Sequence, residues 1–481
     1  MPHPQNVVIL GAGPAGLCAA WNLVQDGHRV IVFEKEPVCG GQSVTFERNG
    51  YRYDLGPHNI HSRRDSIIEF LKCRLGNEIN EYALESQIYF RGRRITYPLV
   101  GSQVLQSLPL LTSGACGFSF LGRRLSSLFI PKFRDDGTYA TWVINRFGRR
   151  FYNIFFGPYT QKTWKFAPTE LSDIVAKKRI AIRNLPELIH AILFKQEQYH
   201  PENPRLIRNL YPRQGIGTIT ELFTKDIRNR GGEIHTGSAV QNIVLRGRQI
   251  IKIIYTEKNK RATLDLNSDS GGKNWLVLST IPINEMILML EGDIPEQVRN
   301  AAGGLDFTAE VFLYLNLNTQ DGFRVPLFYF SENEFPFNRV YDVGLFSRAM
   351  VPVGKNALCL EITCTHGDDI WNIDQNTLYE RCMTPLEKHG LLHRANVEDY
   401  HVRRLSHAYP RFRVGYQQKL RILFDYLAKI PNLMTFGRQG LFSYANIDDA
   451  IWMGFQVVKE LPYRDRISLP IEKMLPDYID F

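Results

Sequence analysis

Two groups of residues in this chain have the types and spacing to do chemistry. The first is GAGPAG at 11–16, which follows the β-branched run NVVIL and leads into the apolar periodic segment LCAAWNLVQDG. Strand, tight turn and helix in that order make an anion cradle. Gly11 permits the turn, Gly13 lets the backbone approach a pyrophosphate, and Gly16 lets the helix pack closely on the sheet. A second strand, RVIVF at 29–33, ends at Glu34, whose carboxylate can accept hydrogen bonds from ribose hydroxyls. The glycines alone would be weak evidence, but strand, glycines, helix, strand and acid in register predict dinucleotide binding. The second group lies in FFGPYTQKTWKFAPTELSDIVAKKRIAIR at 155–183. There Tyr159 and Trp164 precede a capping signal around Thr169, which opens a helix that ends in Lys177, Lys178, Arg179 and Arg183. Aromatic faces can stack on a flat base while arginines grip a diphosphate, a pairing suited to a nucleotide-sugar. The same residues also read as core aromatics and a solvated helix end.

The elements that must position these groups belong to an ordinary globular chain. It has 481 residues, 44% hydrophobic and 22% charged, enough for two or three domains with sizeable cores. That composition excludes disorder and collagen-like repeats. A net charge of +9, scattered along the chain, favours anionic small molecules or anionic surfaces, with nucleic acid a weaker alternative. Seven cysteines with no C-x-x-C pair argue against a disulfide framework or a structural zinc site. No run of 18 or more apolar residues is present, and MPHPQ leads into a strand without a basic cleavable leader, so a soluble, cytoplasmic enzyme is expected. The most apolar stretch, 104–130, reads as loop and core helix of an inserted domain, with peripheral contact to an anionic membrane as the alternative. The polar stretch 258–273 reads as an exposed hairpin or flexible loop.

Beyond Glu34 stand a second glycine pair, Gly40 and Gly41, and then YDLGPHNIH at 53–61. Here the chain resembles the FAD-binding superfamily of amine oxidases, protoporphyrinogen oxidases, phytoene desaturases and UDP-galactopyranose mutases. The resemblance implies an α/β chain: a Rossmann-like FAD-binding domain of the GR2 type with an inserted α+β substrate domain. It assigns residues 1–85, 205–290 and 425–481 to the FAD domain, and 86–204 with 291–424 to the substrate domain. It also implies cofactor contacts. The paired glycines would run beside the FAD diphosphate, and Asp54, Gly56 and His58 would bring backbone close to the flavin ring. Val240 would hold adenine through its main chain. Gly437, Arg438 and Asp448, in TFGRQGLFSYANIDDAIWMGF, would close the site. Where mutases usually carry an aspartate near that last helix, this chain has Asn446.

The substrate half resembles the mutase branch. Segment 159–165 matches Y-T-x-K-Q-W-G, with Thr163 in place of glutamine and Lys165 in place of glycine. The resemblance implies that Tyr159 and Trp164 contact a nucleoside and that Arg183, Arg339 and Tyr409 contact a diphosphate, with His58 and His61 near the flavin. No metal is expected, because no Cys or carboxylate stands at ligand spacing beside the histidines. The expected function is a UDP-galactopyranose mutase-like isomerisation of a nucleotide-sugar by reduced flavin. The alternative is an FAD-dependent oxidoreductase acting on a small organic substrate. A non-catalytic protein that keeps FAD for stability is a third, more remote reading.

Overall fold

The computed structural model describes residues 5–62, 64–82, 85–97, 136–179, 208–267 and 275–461. Arg183, the apolar stretch 104–130 and the end of the polar stretch at 268–273 lie outside the described residues.

Strand Asn6–Leu10 forms where expected, and Val7 to Leu10 are fully buried. A parallel strand covered by helices on both faces must be apolar on both sides, which is why this run shows no alternation. It is central in a five-stranded parallel sheet whose order is Glu233–His235, Arg29–Phe33, Asn6–Leu10, Trp275–Ser279, Leu433–Thr435. This sheet draws on three separated stretches of the chain. Helix Pro14–Gln25 starts with proline, whose fixed φ suits the first turn, and packs against helix Ile447–Glu460, where the Cys18 thiol donates to the Ile451 carbonyl at 3.3 Å.

Facing this layer is a seven-stranded, mostly antiparallel sheet. Its order is Val397–Pro410, Phe307–Leu317, Asn356–Cys364, Arg339–Asp342, Leu327–Phe330, Ser86–Phe90, Arg93–Tyr97. Two of its inner strands, Phe307–Leu317 and Asn356–Cys364, are buried at every position. Helix Gly157–Trp164 packs beside it, against strand Asn356–Cys364.

Two local expectations meet different outcomes. Lys258 and Asn259, both at positive φ, turn strand Gln249–Glu257 into Lys260–Asp265, so a hairpin forms there. The capping signal at Thr169 does not open a helix. Glu170 is drawn into an ion pair with Arg413 at 2.6 Å and Leu171 bridges Arg413 through the backbone. The helix begins at Ile174. Tertiary pairing overrides the local signal.

Candidate functional site

The two layers enclose a cleft of ≈ 840 Å³. Its floor is backbone. Gly11 has φ +97°, and a Cβ on Gly16 would lie 2.2 Å from the Gly11 carbonyl oxygen, so the turn and the helix can approach only as glycines. Gly13 and Gly41 face the cleft side by side, and a Cβ on Gly41 would sit 3.2 Å from the Gly13 Cα. Gly40 stands just outside the lining and donates its N–H to the Ala12 carbonyl at 2.9 Å, which ties the second glycine pair to the first turn. Glu34 is buried on the cleft wall and accepts from Ala12 N–H at 2.8 Å and Glu36 N–H at 2.9 Å. Burial pushes its carboxyl up, opposed by these two hydrogen bonds. The carboxylate therefore braces the turn while keeping lone pairs for a ribose.

Asp54 anchors the next wall. Its carboxylate accepts from the Thr45 and Tyr211 hydroxyls, both at 2.6 Å, and from Ile216 N–H at 3.2 Å. Its carbonyl accepts from the Tyr314 and Tyr341 hydroxyls at 2.6 and 3.1 Å. Burial raises the carboxyl to about 6. This network fixes Gly56 to His58, which line the cleft. His58 Nδ1 lies 3.1 Å from the Gly56 carbonyl, an obligate acceptor, so Nδ1 carries the proton and Nε2 is left as an acceptor. Burial lowers this imidazole to about 4, so it is neutral at ordinary pH.

The far wall is built from side chains. Arg339 lies across from Glu361 in the strand register, and its guanidinium donates to that carboxylate at 3.0 Å through Nε and at 2.5 Å through Nη2. Glu361 is fully buried. Tyr409 and Tyr444 stack at 5.2 Å, with the Arg438 guanidinium 5.0 and 5.1 Å from their ring centres. Arg438 also donates to the carbonyls of Ala445 and Ala408, at 2.8 and 2.9 Å. It thus organises the wall, whatever it also offers a ligand.

Of the residues singled out in the sequence, the cleft gathers Gly11, Gly13, Glu34, Gly41, His58, Val240, Arg339, Tyr409, Gly437 and Arg438. Four others point elsewhere. His61 is exposed on strand Ile60–Ser62 and meets Asn209 at 3.1 Å. Asp448 is buried under Ser62 and Arg64, and Asn446 lines the cleft in its place. The capping box of Asn446 and Asp449 sets the phase of the helix start and so turns Asp448 away. Tyr159 stacks on Phe155 at 6.5 Å outside the lining. Trp164 is 3% exposed and packs edge-on to Tyr409 at 6.5 Å, behind the wall rather than on it.

Sequence reasoning missed two buried carboxylates on the cleft, Glu310 and Glu361, and the aromatic Tyr444. A signal existed for the first two. Each is the lone acid in an apolar strand, AEVFLYLNL and ALCLEITC, and a buried charge requires a partner or a task.

The cleft fits a dinucleotide cofactor. Glycine backbone makes its floor, an acid stands at the ribose position, and two buried polar atoms on its lining side chains, Arg438 Nε and Gln439 Oε1, have no partner within the described residues.

Comparison with known proteins agrees. A family model described as an NAD(P)-binding Rossmann-like domain matches residues 9–73. An L-amino-acid oxidase of Bothrops jararacussu is 36% identical over 87 residues, 18% of this chain and 17% of that protein, so the chain spans under a fifth of that relative's length. The structure of a reduced UDP-galactopyranose mutase superposes with TM-score 0.81 at 20% identity, over 99% of this chain and 100% of that one. A structure assigned as a protoporphyrinogen oxidase from Exiguobacterium sp. 255-15 superposes with TM-score 0.71 at 14% identity, over 95% and 99%. At these identities the superpositions establish the fold. The chain therefore shares the fold of these solved flavoenzyme-type structures, with a Rossmann-like domain at its start and a cleft that suits a dinucleotide cofactor such as FAD.

Proposed function

We propose that this chain is an FAD-dependent enzyme that, with its flavin reduced, isomerises the sugar of a nucleotide-sugar, as a UDP-galactopyranose mutase-like enzyme. The observation that carries this reading is the meeting of Arg339 and Tyr409 with the His58 turn on one cleft. The Arg339 and Arg438 charges are close enough to His58 to help hold it neutral.

Gly11, Gly13 and Gly41 would hold the FAD diphosphate, Glu34 a ribose and the Val240 main chain the adenine, with Gly437 and Asn446 toward the ring. Bound and reduced, FAD supplies an electron-rich ring for chemistry at the sugar. The side chains do the rest. Glu361 fixes the Arg339 guanidinium through Nε and Nη2, leaving Nη1 to donate to a substrate phosphate. Burial pushes the Tyr409 phenol well up, so it stays protonated and can donate to the same phosphate. His58 Nε2 can accept from a sugar hydroxyl. Arg183, expected to grip the diphosphate, remains part of this proposal by resemblance alone.

A second reading is an FAD-dependent oxidoreductase of a small organic substrate. The buried acids favour it, since Glu361 neutralises Arg339 and Glu310 adds negative charge to the same wall. The local likeness to an L-amino-acid oxidase is compatible with it. The test is to offer UDP-galactose and other sugar nucleotides to the flavin-loaded protein with and without dithionite and look for isomers by chromatography. A new isomer formed only with reduced flavin supports the mutase. Inert sugar nucleotides, together with anaerobic bleaching of the flavin by an amine, porphyrinogen or polyene, would replace it with the oxidoreductase.

A further inference from the structure

Behind the cleft wall lies a second cavity of ≈ 680 Å³, and no step of the proposed reaction uses it. In strand Asn356–Cys364, Glu361 faces the cleft while its neighbour Ile362 lines this cavity, because successive strand residues point to opposite faces. Helix Gly157–Trp164 and the Lys165 that caps it divide in a similar way: Trp164 packs toward Tyr409, whereas Lys162 and Lys165 line the cavity.

Three features mark the cavity as built. Lys165 ends its helix at φ +59°, ψ 23°, a left-handed conformation that favours glycine and that a lysine adopts at a cost. The turn before that helix, Tyr152–Phe156, is π-helical, a form concentrated at functional sites, and Tyr152 and Asn153 from it line the cavity. Lys162 is 9% exposed and donates to the carbonyls of Phe330 and Glu332 at 3.0 and 2.8 Å. An ammonium has three donors, so one remains. Burial lowers this group to about 7, helped by the neighbouring Lys165 charge and opposed by that of Glu332.

The nearest acids, Glu332 and Asp368, act on the two lysines through charge at a distance, and neither forms an ion pair with Lys162 or Lys165 among the described residues. Glu332 accepts from Arg91 N–H and, at 3.4 Å, from the Ser331 hydroxyl, while Asp368 accepts from the N–H groups of Thr365 and Trp371, both at 2.8 Å. Neither lines the cavity.

The geometry points to a second ligand site here, one that takes a small molecule through a single oxyanion, phosphate or carboxylate, held between Lys162 and Lys165. The inference is independent of which reaction the cleft performs.

The test uses FAD-saturated protein, so that the glycine cradle is filled, at fixed ionic strength. Inorganic phosphate and acetate are titrated calorimetrically into the wild type, Lys165→Met, Lys165→Gly and Arg339→Lys. The expected result is a saturable site in the wild type that persists in Arg339→Lys and is weakened about tenfold or more in both Lys165 variants, whose flavin spectra match the wild type. Binding of both probes identifies a general oxyanion site, and binding of phosphate or acetate alone identifies a phosphoryl or a carboxylate site. Absence of saturable binding to the wild type, or equal affinity in the Lys165 variants, overturns the inference. A loss confined to Arg339→Lys would move the anion to the cleft and overturn it as well.

Discussion

The two halves of the cleft are built in different ways. The half proposed for the cofactor is main chain: Gly11, Gly13 and Gly41 form its floor, and Glu34 braces the turn from 22 residues away. The half proposed for the substrate is side chain, made by pairs such as Arg339 with Glu361 and Tyr409 with Tyr444, which only sheet register and helix docking bring together. A backbone site tolerates few residue types at fixed spacing and so leaves a contiguous trace in the sequence. A side-chain site leaves scattered residues whose meaning depends on partners.

The sharpest way to break the comparison is at the ion pair. Glu361→Gln leaves the Arg339 cation without its carboxylate and is expected to cost about 3–5 kcal/mol of stability, read by denaturant unfolding. The double variant Arg339→Met with Glu361→Gln should recover much of that loss, and failure to recover would mean that Glu361 has a task beyond its partner. Gly16→Val tests the other half. A Cβ 2.2 Å from the Gly11 carbonyl forces the helix off the turn, so about 1–3 kcal/mol and most of the bound flavin should be lost together, seen in the melting temperature and the visible spectrum. Retention of full flavin would mean the turn is not the cradle.

The link between the halves is Asp54, and it predicts a pH dependence. Its carboxyl is raised to about 6 in the folded chain, above the ordinary value near 3.9, so the native state binds the proton more tightly. Its contribution is full below about pH 4 and is lost as pH rises through about 6, a change of roughly 3 kcal/mol. Relative to Asp54→Asn, the wild type should therefore lose stability between pH 4 and 7 in paired urea titrations. Parallel curves would show that Asp54 does not titrate in that window. The smallest effect is expected from Tyr444→Ala, which removes one ring from the stack on Tyr409 and should cost about 1 kcal/mol beyond the lost area while leaving the flavin bound.

The same contrast accounts for what could be read from the sequence. Strands Asn6–Leu10 and Arg29–Phe33, the glycine turn and Glu34 were legible because the constraint on each is local. His61 and Asp448 were not, because a one-residue change of facing decides whether a side chain enters the cleft, and a hydrogen bond to Asn209 and a capping box made that choice. Trp164 carries the right residue type, but burial against Tyr409 and Phe412 leaves 3% of it exposed. Glu361 was visible as a lone acid in an apolar strand, yet its role appears only when register sets it opposite Arg339.

The central claim is that the main-chain half holds the flavin and the side-chain half holds the substrate phosphates. The most direct test is a UDP titration of flavin-loaded Arg339→Lys beside the wild type, with flavin content read from the same samples. The account predicts full flavin occupancy and UDP affinity reduced about tenfold or more, because lysine keeps the charge but cannot reproduce the fork held by Glu361. Unchanged UDP affinity, or loss of the flavin together with UDP binding, would contradict it.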